Sequence, residues 1–560
     1  MSNAGINIAA SGLLAQQTAM DVIAENLANA TTPGYMRARA NLTTMPGSSA
    51  VGNGAMVANI TLVQNSILAA DARAGASGSS QLTAYGTLLN EAQSAFGEPS
   101  STGIAAQLSQ MWSSFDNIAN NPSSLAPRSE TLSYASQVAT SLNEAAIQLA
   151  SLGHQTVLQL QDQTGQVNSL LVQAASLNNS ILSAKTGGGD ANSLSNQLNQ
   201  VINQLGKLIN VSVRQQPNGS TNLYMGGITL VEGSTVAATL GISATGAGAG
   251  LSASVTSSST TGPVAVTSGS IAGLLAGMSK ISGFQGQLNT VASSLAGLVN
   301  TSQANGAYWY PAIAGSSALA STVTIPSGGQ TLAVTSAGVA STYTIPAGTY
   351  TPAQLASAVQ SSSSGALTAS VNSSGALVIA ASDAQAASSL TVTGGTALGA
   401  LGLSASSSAT PTPDALGAPP AFFVNSSSGS STGIDAANIS VNPALTSNPL
   451  ALSAGSSVSS GPLDGSNAQA MAALYNSSAG PDSTYRTLIG QIGTLTQSAN
   501  QQVQNQSALS SAAQAALQSN SGVSVNQETI DMLKYQEAYQ AAAKMLSAMD
   551  SLVQSLIQAA

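Results

Sequence analysis

Cysteine is absent from all 560 residues, so no disulfide, thiolate metal site or thiol nucleophile can form and packing alone must hold the fold. Histidine occurs once, at His154, which rules out a multi-histidine metal site and leaves any Ser-His-Asp arrangement dependent on one residue of a helical stretch. Charge is scarce as well. Only 6% of residues are Asp, Glu, Lys or Arg, against about 25% in an ordinary soluble domain, and 20 acids against 11 bases leave a net charge of −9. A basic nucleic-acid footprint is therefore missing, and no nucleic-acid partner is expected. No run approaches the roughly 18 unbroken apolar residues of a membrane span, so no membrane insertion is expected either. The opening MSNAGINIAASGLLAQQTAM has no basic flank, and its apolar positions are periodic rather than continuous; it does not read as a cleavable signal peptide.

The places vacated by charge are taken by Ala, Ser, Thr, Gly, Asn and Gln. Such a surface stays polar yet lets neighbouring copies approach without desolvating charges, which suits self-packing; a general habit of secreted proteins is the other reading. Catalysis needs titratable groups held together, and the charge map offers few. From Ile281 to Ser382 there is no charged residue, and Lys280 is the sole base between Arg214 and Arg486. Glu91, Glu98, Asp116, Glu130 and Glu144 share one region, where a carboxylate pair for glycoside cleavage is formally available; scattered single acids on a neutral bundle serve more often as helix caps or solubilising groups. KTGGGD (185–190) lacks the residue order of a phosphate loop. The expectation is a chain that is no enzyme, with no catalytic residue, no cofactor and no metal.

The periodicity predicts a mainly α fold with a β insert, an α+β class. Ile6, Ala9, Leu13, Gln16, Met20, Ile23 and Leu27 follow a 3,4 spacing, and so do Tyr535, Ala538, Ala542, Met545, Met549, Leu552 and Leu556, so a helical seam stands at each end. Two seams at the ends of one chain are most simply satisfied by pairing with each other and with neighbouring copies. Residues 81–210 read as a bundle of long helices broken at FGEPSSTG, ANNPSSLAP and KTGGGD. Strands with a turn at PNGS follow from 211 to 231, a helix spans about 270–303, and short alternating runs such as STVTIP and STYTIP fill 306–420 around one helix at YTPAQLASAVQ. Helical pattern resumes near 466. The division expected is 1–60 with 521–560 as a terminal helical domain, a coiled coil partly disordered in the monomer; 61–305 with 425–520 as a helical bundle carrying a small β hairpin; and 306–424 as an outer, mostly β insert.

The stretch ENLANATTPGYMR (25–37) ends the first helix. Pro33 disfavours helical geometry at Thr32, Gly34 tolerates a left-handed turn, and Asn26 and Asn29 offer uncharged hydrogen bonds. This stretch resembles the N-terminal signature of the bacterial flagellar axial proteins, in Asn26, Leu27, Ala28 and Asn29 followed by Thr32, Pro33, Gly34, Tyr35 and Arg37. FGEPSSTG, ANNPSSLAPR, residues 195–233, GSIAGLLAG (269–277) and the C-terminal SGVSVNQETIDMLKYQEAYQAAAKML (521–546) resemble the hook-associated protein 1 family, the first hook-filament junction proteins, over about three quarters of the chain. The sequence departs from that pattern where acids are replaced by Ser524, Asn526 and Gln527 and by SNQLNQ (195–200).

The resemblance implies a structural subunit of the flagellum, outside the cell at the hook-filament junction and delivered by type III export. It implies a homo-oligomeric ring or short tube in contact with the hook protein, the second junction protein and an export chaperone. It also implies an inner-tube coiled coil of the terminal seams, with Leu13, Met20, Ile23, Leu27, Asn26, Asn29, Pro33, Gly34 and Tyr35 at one end of the chain and the seven seam residues from Tyr535 to Leu556 at the other. A hook or distal rod subunit would share both ends, though not the long helical region. A secreted peptidoglycan hydrolase fused to an axial protein is the alternative of another class.

Overall fold

The computed structural model describes residues 2–32, 34–46, 52–187, 189–382, 387–415 and 418–559; the side chains of residues 2–4, 556 and 559 fall outside that description. Along the chain run α1 (Ser2–Ala28), β1 (Ala38–Thr44), β2 (Ala55–Leu62), α2 (Ser66–Ser94), α3 (Ile104–Asn120), α4 (Leu125–Thr186) and α5 (Asn192–Leu208). Short strands follow: β3 (Ser212–Gln215), β4 (Thr221–Met225), β5 (Ile228–Glu232), β6 (Thr235–Val236), β7 (Leu240–Thr245), β8 (Ser252–Ser257) and β9 (Pro263–Val264). After α6 (Ser270–Asn305) come β10 (Trp309–Ala314), β11 (Val323–Ile325), β12 (Gln330–Ser336), β13 (Val339–Ile345), β14 (Gly348–Tyr350), α7 (Pro352–Ser362), β15 (Leu367–Val371), β16 (Leu377–Ala381), β17 (Thr391–Gly394), α8 (Leu398–Leu401) and β18 (Thr410–Pro413). The last part holds β19 (Phe423–Asn425), β20 (Ile439–Val441), α9 (Pro443–Ser447), α10 (Ser466–Ala473), α11 (Pro481–Ser521) and α12 (Val525–Ala559). The class is mixed α+β.

The chain divides into two compact units, one of residues 1–90, 153–280 and 495–560, the other of 91–152 and 281–494. In the first, α4 presents Leu160, Val167, Leu171, Ala174 and Ile181, fully buried, at the spacing of one helical face. They pack with Leu198, Ile202 and Leu205 of α5 and with Leu223, Met225, Leu230 and Val231 of the antiparallel sheet β3-β4-β5-β6. The β1–β2 hairpin, which the sequence pattern did not announce, pairs Ala38 with Leu62 through Thr44 with Ala55 across a bulge at Asn41/Leu42.

In the second unit α3 buries Leu108, Met111, Trp112, Phe115 and Ile118 on one stripe. The expected insert strands form the sheets β15-β16-β10-β18, β13-β12-β17 and β11-β14 around Leu332, Val334, Ile345, Leu377 and Ile379. Helix α7 closes that core with Leu355, Ala356 and Val359. It begins where the sequence specifies: Thr351 and Gln354 form a reciprocal capping box, and Pro352 occupies the first turn, where its missing N–H costs nothing.

Candidate functional site

Helix α1 lies between two partners. Along α12, Gly12 faces Ala542, with room for a methyl at 3.9 Å, and Gly5 faces the Met549 side chain. Against the hairpin, Ala19 and Val22 pack with Ala38, Ala40, Leu42, Val57, Ile60 and Leu62, joined by Tyr535 from α12. Small residues on α1 make this close approach feasible. Of the sequence-predicted assembly residues, Ile23 is buried; Leu13, Met20, Asn29, Tyr35, Tyr535, Ala538, Ala542 and Met549 are half-buried; Gly34, Leu27, Met545 and Leu552 are exposed, Leu552 by 64%. Pro33 and the side chain of Leu556 lie outside the described residues.

The other predicted residues converge where α1 ends and α12 begins. Asn26 is fully buried, and its amide is saturated: Nδ2 donates to Ala38 O (2.8 Å) and to Glu528 Oε2 (3.0 Å), while Oδ1 accepts from Ala38 N (2.9 Å) and from the Tyr35 hydroxyl (3.2 Å). A buried amide has four hydrogen-bonding sites, and here each is used. Gly34, at φ +77°, makes the left-handed turn that sends the chain back toward α1, so that Tyr35 and Ala38 reach Asn26. Asn29 donates to Glu25 O at the helix end (3.0 Å).

Glu528 is 1% exposed and sits in the first turn of α12, where the helix dipole favours a carboxylate. Arg37 Nε approaches its Oε1 to 2.5 Å, a charge contact whose direction does not make a hydrogen bond, and Arg37 Nη2 reaches Asp531 Oδ2 at 3.2 Å. Arg37 N also donates to Ser521 O (2.9 Å), so backbone and side chain both tie the segment from Asn26 to Arg37, termed the hinge below, to the α11–α12 turn. Burial, then the nearby Glu25 and Glu528 charges, push the Tyr35 hydroxyl up to about 12. From α5, Asn196 clamps Met36, donating to its carbonyl and accepting from its N–H at 3.2 Å each.

That clamp recurs. Asn168 holds both N and O of Leu240, Asn178 those of Thr221 and Asn300 those of Phe423, all at 2.7–2.9 Å. With Asn26 on Ala38 and Asn196 on Met36, five helix-borne amides each pair with one residue's backbone as a neighbouring strand would.

Within the second unit, the motifs FGEPSSTG and ANNPSSLAPR are structural. Glu98 accepts from Ser100 N and Ala105 N, placing a carboxylate at the N-terminus of α3, and from the Tyr485 hydroxyl (3.3 Å). A Cβ on Gly103 would fall 2.4 Å from Glu98 Oε1, so a larger residue there would push that carboxylate aside. Trp112 donates its indole N–H to Asp482 at 2.6 Å; burial pushes the Asp482 carboxyl up, against that hydrogen bond and the Arg486 charge. Arg128, fully buried, has no ion-pair partner among the described residues. Its guanidinium donates to Pro122 O, to Leu450 O (2.9 Å) and to Leu452 O, and burial lowers it to about 10.

Glu91, Asp116, Glu130 and Glu144 are exposed, as is His154 on α4. Among the described residues no group of three or more His, Asp or Glu could hold a metal ion, and no helix is long and apolar enough to cross a membrane. Sequence reasoning missed Arg37, Glu528, Asp531, Asn196 and Arg128 as positioning residues. The available signal was scarcity: in a chain with so few charges, a base in the hinge and two acids opening the last helix are candidates for each other.

Three family models match in chain order. The one described as flagella basal body rod protein covers residues 6–35, that of the flagellar hook-associated protein FlgK helical domain covers 89–315, and that of the flagellar basal body rod FlgEFG protein C-terminal covers 513–559. Flagellar hook-associated protein 1 of Salmonella typhimurium is 28% identical over 239 residues, 41% of this chain and 43% of that protein. Its counterparts in Escherichia coli K12 and Bacillus subtilis 168 are 27% and 25% identical, over 41% and 39% of this chain and 43% and 45% of theirs. The matched part thus spans less than half the length of these curated relatives. A solved structure of the flagellar hook junction protein FlgK from Burkholderia pseudomallei aligns at 19% identity and a TM-score of 0.48 over 81% of this chain and all of that one. The chain is thus similar to rod-type flagellar proteins at both ends and to the helical domain of hook-associated protein 1 between them.

Proposed function

We propose that the chain is a structural subunit of the bacterial flagellum that polymerises outside the cell at the hook tip, forming the junction between hook and filament. One observation carries the reading beyond these similarities: α12 keeps large apolar side chains exposed although α1 is packed along it. Ile530, Leu533, Met545, Leu552 and Ile557 are 45–70% exposed on α12, as is Leu14 on α1 at 67%. Covering the exposed part of each such side chain contributes on the order of 1 kcal/mol, and further copies of the same helix pair supply a matching surface. In this reading residues 1–60 and 521–560 form the inner coiled coil, with the seam residues from Leu13 to Leu27 and from Tyr535 to Leu556 as its contacts. Residues 61–305 with 425–520 form the bundle, and 306–424 an outward insert. The partners are further copies, the hook protein, the second junction protein and an export chaperone that meets the chain before type III export without a cleaved signal. The reading assigns no catalytic role.

Deleting residues 525–560 tests it: incorporation at the hook tip is expected to be lost, and incorporation at the wild-type level would refute the proposal. The rod-type matches at both ends favour one alternative, a hook or distal rod subunit. Electron microscopy of a labelled copy separates the two, since label along the whole hook or rod favours the alternative and label confined to the hook tip favours the junction.

A further inference from the structure

In the first unit a cleft of about 820 Å³ opens among β2, the start of α2, the end of α4, α5 and the β3–β4 turn. Its lining is polar and carries two of the chain's 11 bases, Arg73 and Lys185, with Gln64, Asn192, Asn199 and Gln215 around them. Arg73 is half-buried and makes no hydrogen bond or ion pair with any described residue. Burial accordingly pulls its guanidinium downward. The acid in the lining, Asp190, is occupied elsewhere: its oxygens accept from Asn192 N and Nδ2 at 2.9 Å each. A guanidinium presents five donors in a fixed fork that matches a carboxylate, and leaving such a group desolvated without an acceptor is costly. Every other described arginine in a buried or half-buried setting has acceptors: Arg37 has Glu528 and Asp531, and Arg128 has three carbonyls.

We propose that this cleft is a carboxylate-binding site, with Arg73 as the fork and Lys185 as the second cation. The carboxylate has two sources. One is a free di- or tricarboxylate. The other is a second copy of the chain, whose α1 exposes Asp21 and Glu25 one turn apart, a like-charged pair with no ion-pair partner among the described residues. The second source rests on the assembly reading above; the first does not.

Titration calorimetry of the purified full chain with citrate and with succinate is the first arm. Saturable binding is expected, weakened at least about tenfold by Arg73→Gln and by Lys185→Gln, with Arg73→Lys in between because a point charge replaces the fork. Two independent pocket variants keep the test valid if one misfolds, as circular dichroism will report. The second arm uses the cysteine-free background: one copy carrying Ala24→Cys beside the acid pair and another carrying Thr186→Cys beside Lys185 are co-expressed, and isolated hooks are oxidised. A disulfide between copies that disappears with Arg73→Gln identifies the neighbour as the carboxylate source. Citrate binding without the disulfide identifies a free ligand and leaves the junction reading untouched. Neither citrate binding nor the disulfide, in hooks that still carry the protein at their tips, overturns the site while the junction reading stands.

Discussion

The hinge in the first unit and Arg128 in the second solve the same problem, a cation taken out of water, in opposite ways. Arg37 keeps a quarter of its side chain in solvent and faces two carboxylates from a segment nearly 500 residues away. Arg128 is closed off and faces only carbonyl oxygens of two loops. Carbonyls cannot lose their partial charge by titration and are not screened by salt as a partly exposed ion pair is. The difference separates a permanent staple, which defines the second unit, from a tunable join, which holds the chain ends where the proposed assembly begins.

The comparison can be broken first at its rigid side. Arg128→Ala leaves the Pro122, Leu450 and Leu452 carbonyls without their donor and opens a void, and should cost about 3–5 kcal/mol in denaturant unfolding; a loss under about 1 kcal/mol would show that water replaces the guanidinium. At the tunable side, Asn26→Asp keeps the shape but removes the two Nδ2 donors and sets a second acid against Glu528. A loss of about 2–3 kcal/mol is expected, measurable as a lowered unfolding midpoint with the α1–α12 contacts the first to exchange amide hydrogens.

Tyr35 sharpens the contrast through pH. Its folded value of about 12 lies above the ordinary 10, so the folded chain retains a proton that the unfolded chain releases. Its contribution is fully present below pH 10 and is lost as pH rises through 12. Tyr35→Phe should cost about 1 kcal/mol at pH 8 through the lost bond to Asn26, and the gap to wild type should narrow between pH 10 and 12 in thermal melts. A gap constant across that range would remove Tyr35 from the join. The smallest effect is expected at Gly12→Ala, where the new methyl meets Ala542 at ordinary contact distance; the variant should gain about 0.5–1 kcal/mol from helix propensity.

Much of the scaffold was legible because it is periodic. The long helices of 81–210 with their breaks at FGEPSSTG, ANNPSSLAP and KTGGGD, and the insert strands at STVTIP and STYTIP, appear where helical spacing, turn residues and alternation place them. The β1–β2 hairpin was not, because ARANLTT alternates for only three residues before turning half-exposed. The same holds for β19–β20, whose three-residue strands are too short to carry a period. At the hinge, Asn26 and Gly34 were readable as helix punctuation. What Asn26 holds was not, since its main partner is the backbone of Ala38, which has no sequence signature. The Arg37–Glu528 pairing was hidden by distance along the chain, which local pattern does not cross.

The amide clamps have a consequence for durability. Asn168, Asn178, Asn196 and Asn300 tie helices to extended backbone with bonds that carry no formal charge. Ionic strength and acidity therefore leave these ties nearly untouched. The medium can have its say instead at the charged contacts, the Arg37 ion pairs with Glu528 and Asp531 and the Glu98 and Asp482 carboxylates.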